Sequence, residues 1–233
     1  MTLLLFLALA AFIALGAWQV RRMHWKHDLI ARVNARVHAA PVTLPPDAHL
    51  TAAVPGAFDY LRVRLSGVYR PSQTALARAS TDLGTGYWTM TPLLMGDGRT
   101  IWVNRGFVAA GTTRDAASAS VPQGKAEVVG LLRSAEPGGS LLQSNRPRED
   151  RWYSRDLAAL SKAKGTGRTA PVFVDAQRES AARPAPGASP VPGLTVVHFP
   201  DNHLQYALTW FALSGLTAFG IGLVWRRGRT TMP

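Results

Sequence analysis

Six histidines, at positions 24, 27, 38, 49, 198 and 203, are the side chains of this chain best suited to bind a metal or move a proton. They form no H-E-x-x-H pattern. His24 and His27 lie three residues apart on a stretch of helical periodicity, as two metal ligands can. With no third donor near them, they read rather as a solvated basic face. Serines are plentiful, but neither G-x-S-x-G nor S-x-x-K occurs, so no nucleophile with a base and an orienting group is in view. The carboxylates of Glu149 and Asp150 sit between Arg148 and Arg151, a setting for solvated ion pairs. No credible active site emerges, and the chain reads as a non-enzyme.

His203 has a different setting. It follows Pro200, Asp201 and Asn202, a helix start with Asp201 or Asn202 as cap, and no charged residue comes after it until Arg226. His203, Tyr206 and Trp210 fall at i, i+3 and i+7, on one helical face, with Gln205 beside them. Trp18 and Gln19 stand at the corresponding depth of the first apolar segment. Tyrosine and tryptophan at such a depth are ordinary residues of a membrane interface. The local pattern leaves two readings of His203 open. It is an interfacial residue or hydrogen-bond partner, or it ligates something flat and apolar through a neutral imidazole nitrogen.

A second unusual group is Asn104-Arg105-Gly106, in VNRGF (103–107). It interrupts a strand-like alternation and predicts a bulge or strand exit that turns Arg105 sideways. The expected role is an arginine closing a sheet edge on backbone carbonyls, ahead of a binding role.

The elements that must position these residues are marked by charge. Residues 1–20 and 204–225 carry none, each about the length of a helix that crosses a bilayer. The first has no basic flank before it, which leaves room for residues upstream. Bulky Trp18-Gln19, with Arg21 and Arg22 behind them, favour an uncleaved anchor over a signal peptide. The expected layout is a transmembrane helix (1–20), an extracytoplasmic domain (21–201), a second transmembrane helix (202–225) and a cytoplasmic tail (226–233). Arg226, Arg227 and Arg229 on the short tail place both termini in the cytoplasm. In a bacterium the central domain would then be periplasmic, on the cell inner membrane.

The 26 basic residues, set against 14 acidic ones, give a net charge of +12. Without the three tail arginines, 23 basic residues and a balance of +9 remain. For an outward-facing domain this disfavours nucleic acid and fits anionic lipid, an acidic protein surface or carboxylate-bearing ligands. The absence of cysteine excludes covalent haem attachment, thiolate copper and a zinc ribbon.

Within the domain, residues 27–38 continue the first helix on an amphipathic pattern until Pro41, and Pro45, Pro46 and Pro55 mark a loop. YLRVRLSGVY alternates as a half-buried strand, and residues 86–108 read as two strands around a Gly96-Asp97-Gly98 turn. AEVVGLL, VFVDA and LTVVHF are further strands. A helix over 156–164 follows a Ser154 cap, and 111–125 and 181–193 read as surface loops. The fold class is α+β: two transmembrane helices flanking a mostly antiparallel β domain with one or two helices.

LGAWQVRRMHWK (15–26), GYWTMTPLLMGDGRTIWVNRGFV (86–108), RWYSRD (151–156) and NHLQYALTWFAL (202–213) resemble, in order, segments of the Surfeit locus protein 1 family. RVRLSGVY fits the strand before the second of them. The resemblance spans nearly the whole chain. It implies an assembly factor for haem–copper terminal oxidases of the cytochrome c oxidase type, which binds haem a non-covalently and helps deliver it to the large, haem-bearing oxidase subunit. The family histidine at the head of the second span, the proposed haem iron ligand, matches His203. Tyr206 and Trp210 would share that cofactor site, and Arg21 and Arg22 are added as partners of the haem propionates on charge alone. Haem a synthase and membrane lipid are further expected partners, and no other metal is expected. The alternative is a cofactor-free membrane scaffold that docks an oxidase subunit. The loops at 111–125 and 181–193 depart from the family pattern.

Overall fold

The computed structural model describes residues 2–140, 142–183, 189–194 and 201–230, of which residues 2 and 227–230 are described by backbone only. In chain order the elements begin with α1 (Thr2–His38), β1 (Val42–Thr43), α2 (Asp47–Ala52), β2 (Arg62–Tyr69), β3 (Ala75–Thr81), β4 (Gly84–Met95) and β5 (Thr100–Ala109). They continue with α3 (Arg114–Ala119), β6 (Gln123–Ser134), α4 (Leu157–Lys164), β7 (Thr169–Arg183) and α5 (His203–Thr230). The chain divides into two compact units, residues 1–34 with 197–233, and residues 35–196.

The first unit is helical. Leu3–His38 and His203–Arg226 are each long and apolar enough to cross a membrane. Leu3, Leu4, Leu7, Leu204, Leu208, Leu216 and Phe219 all remain exposed, an apolar surface that suits hydrocarbon better than water. The seam between the helices is narrow. Ala207, Ser214 and Ile221 recur every seven residues as buried positions of α5, the spacing of a helix–helix seam. Phe12 stacks on Trp210 with ring centroids 5.7 Å apart. Gly16 is a site of close approach, since a Cβ there would stand 2.7 Å from Phe211. The basic charge expected at Arg227 and Arg229 lies outside the described side chains.

The second unit is a seven-stranded sheet in the order β1-β2-β6-β7-β5-β4-β3, with a further pairing of β2 to β4. That pairing, Gly67 to Met95 through Tyr69 to Leu93, closes β2, β6, β7, β5 and β4 into a five-stranded barrel. Every barrel strand sends side chains inward: Val63 and Leu65, Val128 and Leu132, Val174 and Ala176, Ile101 and Val103, Leu93 and Met95. Each buried aliphatic side chain contributes about 1.5–3 kcal/mol. A second apolar cluster lies on the outer wall, where Leu157 and Leu160 of α4 and Trp152 cover Ala75, Ala77, Met90, Trp102 and Phe173. β5, between β4 and β7, is therefore buried on both faces.

Most of the expected elements are present. β2, the β4–β5 hairpin, β6 and β7 fall on the predicted strands, and α1 continues to His38. The sheet is mostly antiparallel, as expected, and it is mixed because β1–β2 and β5–β7 pair in parallel. The helix at 157–164 is capped by Asp156, whose side chain accepts from the Ala159 N–H, and not by Ser154. Ser154 instead donates to the Glu136 carbonyl and bonds Asn145. The 111–125 segment is no plain loop, for it holds α3 with a Thr113 cap. The segment expected as a loop over 181–193 begins as strand, since β7 runs to Arg183. All but Leu194 of the strand expected over LTVVHF, and the central part of the Pro-rich segment, lie outside the described residues, as do His198 and Pro200.

Candidate functional site

In the first unit, α5 opens on a turn made by its own first residues. Asp201 Oδ1 accepts the His203 backbone N–H at 3.1 Å, and the Asn202 carbonyl accepts the Tyr206 N–H at 3.2 Å. Asp201 is thus the side chain that caps the start. The His203 N–H, and next the charge of His27, hold its carboxyl below the usual carboxylate range. Its second oxygen lies 2.8 Å from His27 Nε2, so the carboxylate ties the head of α5 to α1.

The imidazole of His203 is half-buried, and its Nδ1 lies 2.7 Å from Gln19 Oε1. With the amide oxygen as acceptor, Nδ1 carries the hydrogen and Nε2 keeps a free lone pair. This is how a ligating histidine is oriented in metal sites, where the second ring nitrogen donates to a carbonyl or carboxylate. One turn further into α5, Tyr206 is 54% exposed while Trp210 is half-buried on Phe12. The arrangement offers one nitrogen donor and flat aromatic walls on an otherwise apolar helix pair. Chemically it can hold a planar apolar ligand by one coordinate bond. Among the described residues no group of three or more His, Cys, Asp or Glu is placed to hold a metal ion.

The other residues singled out in the sequence separate into two kinds. Arg22 lies over the Trp25 ring at 4.0 Å, and Arg21 is exposed. His24 bonds the Val20 carbonyl through Nδ1 at 2.9 Å and His27 pairs with Asp201, so these two do not act as one ligand pair. Gln19 was placed by sequence at the depth of His203. The His27–Asp201 pair leaves no signal in the sequence, because nothing local links residues so far apart.

Arg105 takes a different place from the expected one. The bulge is present: β5 spends Arg105 and Gly106 against Thr89 of β4, and Gly106 has φ 133. Yet β5 is a central strand, not a sheet edge, and Arg105 is 3% exposed. Its guanidinium donates to both Glu179 carboxylate oxygens, at 2.8–3.3 Å, and to the Ser120 carbonyl at 3.0 Å, beside the Tyr69 ring. It is an internal ion pair that joins β5, β7 and the end of α3. Glu149 pairs with Arg146 and Arg151 at the surface, whereas Asp150 is held in a part-buried setting by Lys164 and by the Trp152 indole N–H.

The chain is similar to known proteins over most of its length. The model of the family described as SURF1 family matches residues 6–215. Human Surfeit locus protein 1 is 33% identical across 93% of this chain and 74% of its own length. The rat protein of that name is 35% identical over 93% of the chain and 72% of its own length. The one from Takifugu rubripes is 32% identical over 90% of both chains.

Proposed function

The chain belongs to the SURF1 family, and from that premise we propose that it is a membrane-bound assembly factor for haem–copper terminal oxidases of the cytochrome c oxidase type. Its cargo is haem a, held by His203 through Nε2 on the way to the large, haem-bearing oxidase subunit, with haem a synthase as the donor partner. The two apolar helices span the membrane, with both termini cytoplasmic. In a bacterium the barrel domain then faces the periplasm from the inner membrane.

The observation that carries this reading is the His203–Gln19 contact, which orients an imidazole nitrogen for coordination at the mouth of an apolar helix pair. The residues fit the cargo. A single neutral nitrogen donor suits ferric or ferrous haem iron and leaves the opposite face open for exchange. Phe12 and Trp210 provide flat surfaces, the exposed leucines of α5 suit an apolar tail in lipid, and Arg21 is an exposed cation for a propionate. Arg22, partly engaged by Trp25, is the second. A holder without covalent bonds suits a protein that must release what it carries. No part of this scheme requires the chain to catalyse a reaction.

The test is to co-produce the full chain with a haem a synthesis system, purify it, and compare its haem spectrum with that of His203→Ala. The expected result is a Soret band that the substitution removes. Undiminished haem in the variant rejects the ligand assignment. Oxidase subunits that copurify with both proteins, with no Soret band in either, would identify a cofactor-free scaffold instead.

A further inference from the structure

The outer wall of the barrel is clothed on one side by α4 and Trp152, and on β2, β6 and the end of β7 it faces solvent. Register puts the exposed side chains there in rows. Arg64, Val129 and Arg178 lie side by side across the three strands. Ser66, Glu127 and Ser180 form the next row, followed by Val68 beside Lys125. Arg64, Val68, Lys125, Glu127, Arg178 and Ser180 are all exposed. Their strand neighbours Val63, Leu65 and Val128 point inward to the barrel core, so the alternation of β2 and β6 fixes which face the cations occupy. Arg62 extends the surface, with its Nε bonded to the bulged Gln177. Arg133, over the Tyr60 ring, borders it.

Five cations thus share this wall with one carboxylate among its rows, Glu127, and Glu136 lies within reach of Arg133 at its border. None of the ion pairs among the described residues uses Arg64, Arg178 or Lys125. Two strand spacings separate Arg64 from Arg178, about 10 Å. Nothing in the barrel's packing calls for a guanidinium at either position, because the apolar core lies on the other face of the strands. The charge is held rigidly, on paired strands, and points outward.

We propose that this face docks an acidic protein surface. Guanidinium groups bind carboxylates by two parallel hydrogen bonds, which lysine cannot do, and four of the five cations here are arginines. Val68 and Val129 between them supply the apolar contact that protein interfaces combine with arginine. Patches that bind anionic lipid rely instead on mobile polybasic segments or amphipathic helices with aromatic anchors. This wall is a β-sheet face with no exposed aromatic among its rows. The inference is independent of haem binding at His203.

The test uses the full chain in nanodiscs of phosphatidylcholine, titrated with a fluorescein-labelled peptide of alternating glutamate and threonine and followed by anisotropy. Saturable, salt-sensitive binding is expected, weakened about tenfold or more by Arg64→Glu with Arg178→Glu. Arg148→Glu with Lys162→Glu makes the same charge change at exposed positions elsewhere and should leave the affinity nearly unaltered. Arg64→Gln with Arg178→Gln, expected to weaken binding to a lesser degree, carries the test if the reversed pair does not fold. Equal losses from the two reversal pairs would overturn the proposal, since net charge alone would explain them. So would failure to bind the peptide combined with Arg64- and Arg178-dependent flotation on phosphatidylglycerol vesicles, which would assign the face to lipid.

Discussion

Gln19 Oε1 accepts a hydrogen bond from His203 Nδ1 at 2.7 Å across 184 residues of sequence. The contact ties the imidazole to α1. Neighbours in one helix lie along its own face, whereas Gln19 approaches from α1 and selects the tautomer. Such partners of a ligating histidine typically carry a 10–100-fold effect on metal affinity. On the proposed function, Gln19→Leu is therefore expected to weaken haem a binding by about that factor. Gln19→Glu keeps an acceptor and should restore most of the affinity, with a lower haem midpoint potential from the added negative charge. Haem titration with potentiometry checks both. Equal affinity in Gln19→Leu and the parent would show that the amide positions nothing.

How much of this was legible beforehand depends on the range of the interaction. Residues 62–66 of RVRLSGVY alternate, and β2 buries Val63 and Leu65 as that alternation requires. Gln19 could be set at the depth of His203 because both positions count from the ends of apolar segments. What failed to show is long-range. Strand β3, ALARAST, lacks the β-branched run that marks a strand. Its alanines are small because Trp152 and α4 lie over them. The parallel β5–β7 pairing and the β2–β4 closure leave no local trace. Arg105 was legible as a bulge residue, since Gly106 follows it, but its partner Glu179 is 74 residues away.

That pair makes a second prediction. Arg105 is almost fully enclosed, and the Glu179 side chain is 19% exposed. Breaking a buried pair by removing one partner typically costs about 3–5 kcal/mol, because the other charge stays behind. Arg105→Met should destabilise the barrel domain by roughly that amount. Combining it with Glu179→Leu should recover most of the loss. Denaturant melts of the three variants close the cycle, and additive losses would mean that the two charges are not coupled.

Tyr69 responds at the other end of the pH scale. Burial raises its phenol well above the ordinary value, and the Glu179 carboxylate adds to the shift. The folded state then holds the phenolic proton more tightly than the unfolded state does. Its contribution is complete below pH about 10 and is lost as pH rises above that value. The hydroxyl finds no hydrogen-bond partner among the described residues. Tyr69→Phe should therefore cost little at pH 7 and flatten the alkaline fall in stability. Melts at pH 7 and pH 11 measure this, and an unchanged alkaline slope would place the titrating group elsewhere.

Glu136 contributes to the acid limb. Burial works to raise its carboxyl, but hydrogen bonds and charge from Arg155 outweigh burial and hold it below the usual range. A carboxyl depressed in the folded state contributes stability that is complete above the unfolded value near 4 and is lost as pH falls through the folded one. Arg155 also bonds Asp175, itself bonded by Asn104, so the loss reaches β5 and β7. Glu136→Gln should lower stability at pH 7 and make the remaining profile flatter below pH 4. Parallel acid titrations of parent and variant, followed by tryptophan fluorescence, decide it.

Barrel closure rests on a short contact that a single methyl group can test. Gly67 pairs with Met95 where β2 meets β4, and a Cβ on it would stand 2.4 Å from the Leu94 carbonyl oxygen. That oxygen is backbone, so it cannot swing aside as the end of a side chain would. The strands must part instead. The pairing of β2 with β6 runs on the opposite edge and is untouched. Gly67→Ala is thus expected to cost about 1–3 kcal/mol, the usual range for overpacking, and to act locally. Gly96→Ala is the matched control, because nothing lies within 4 Å of its added Cβ. Hydrogen exchange should quicken at residues 67–69 and 93–95 in the first variant, while the amides of α4 keep their protection. Uniform quickening across the domain would mean that β2–β4 closure and the α4 cluster form one cooperative unit, and the seam would not be a separable part of the fold.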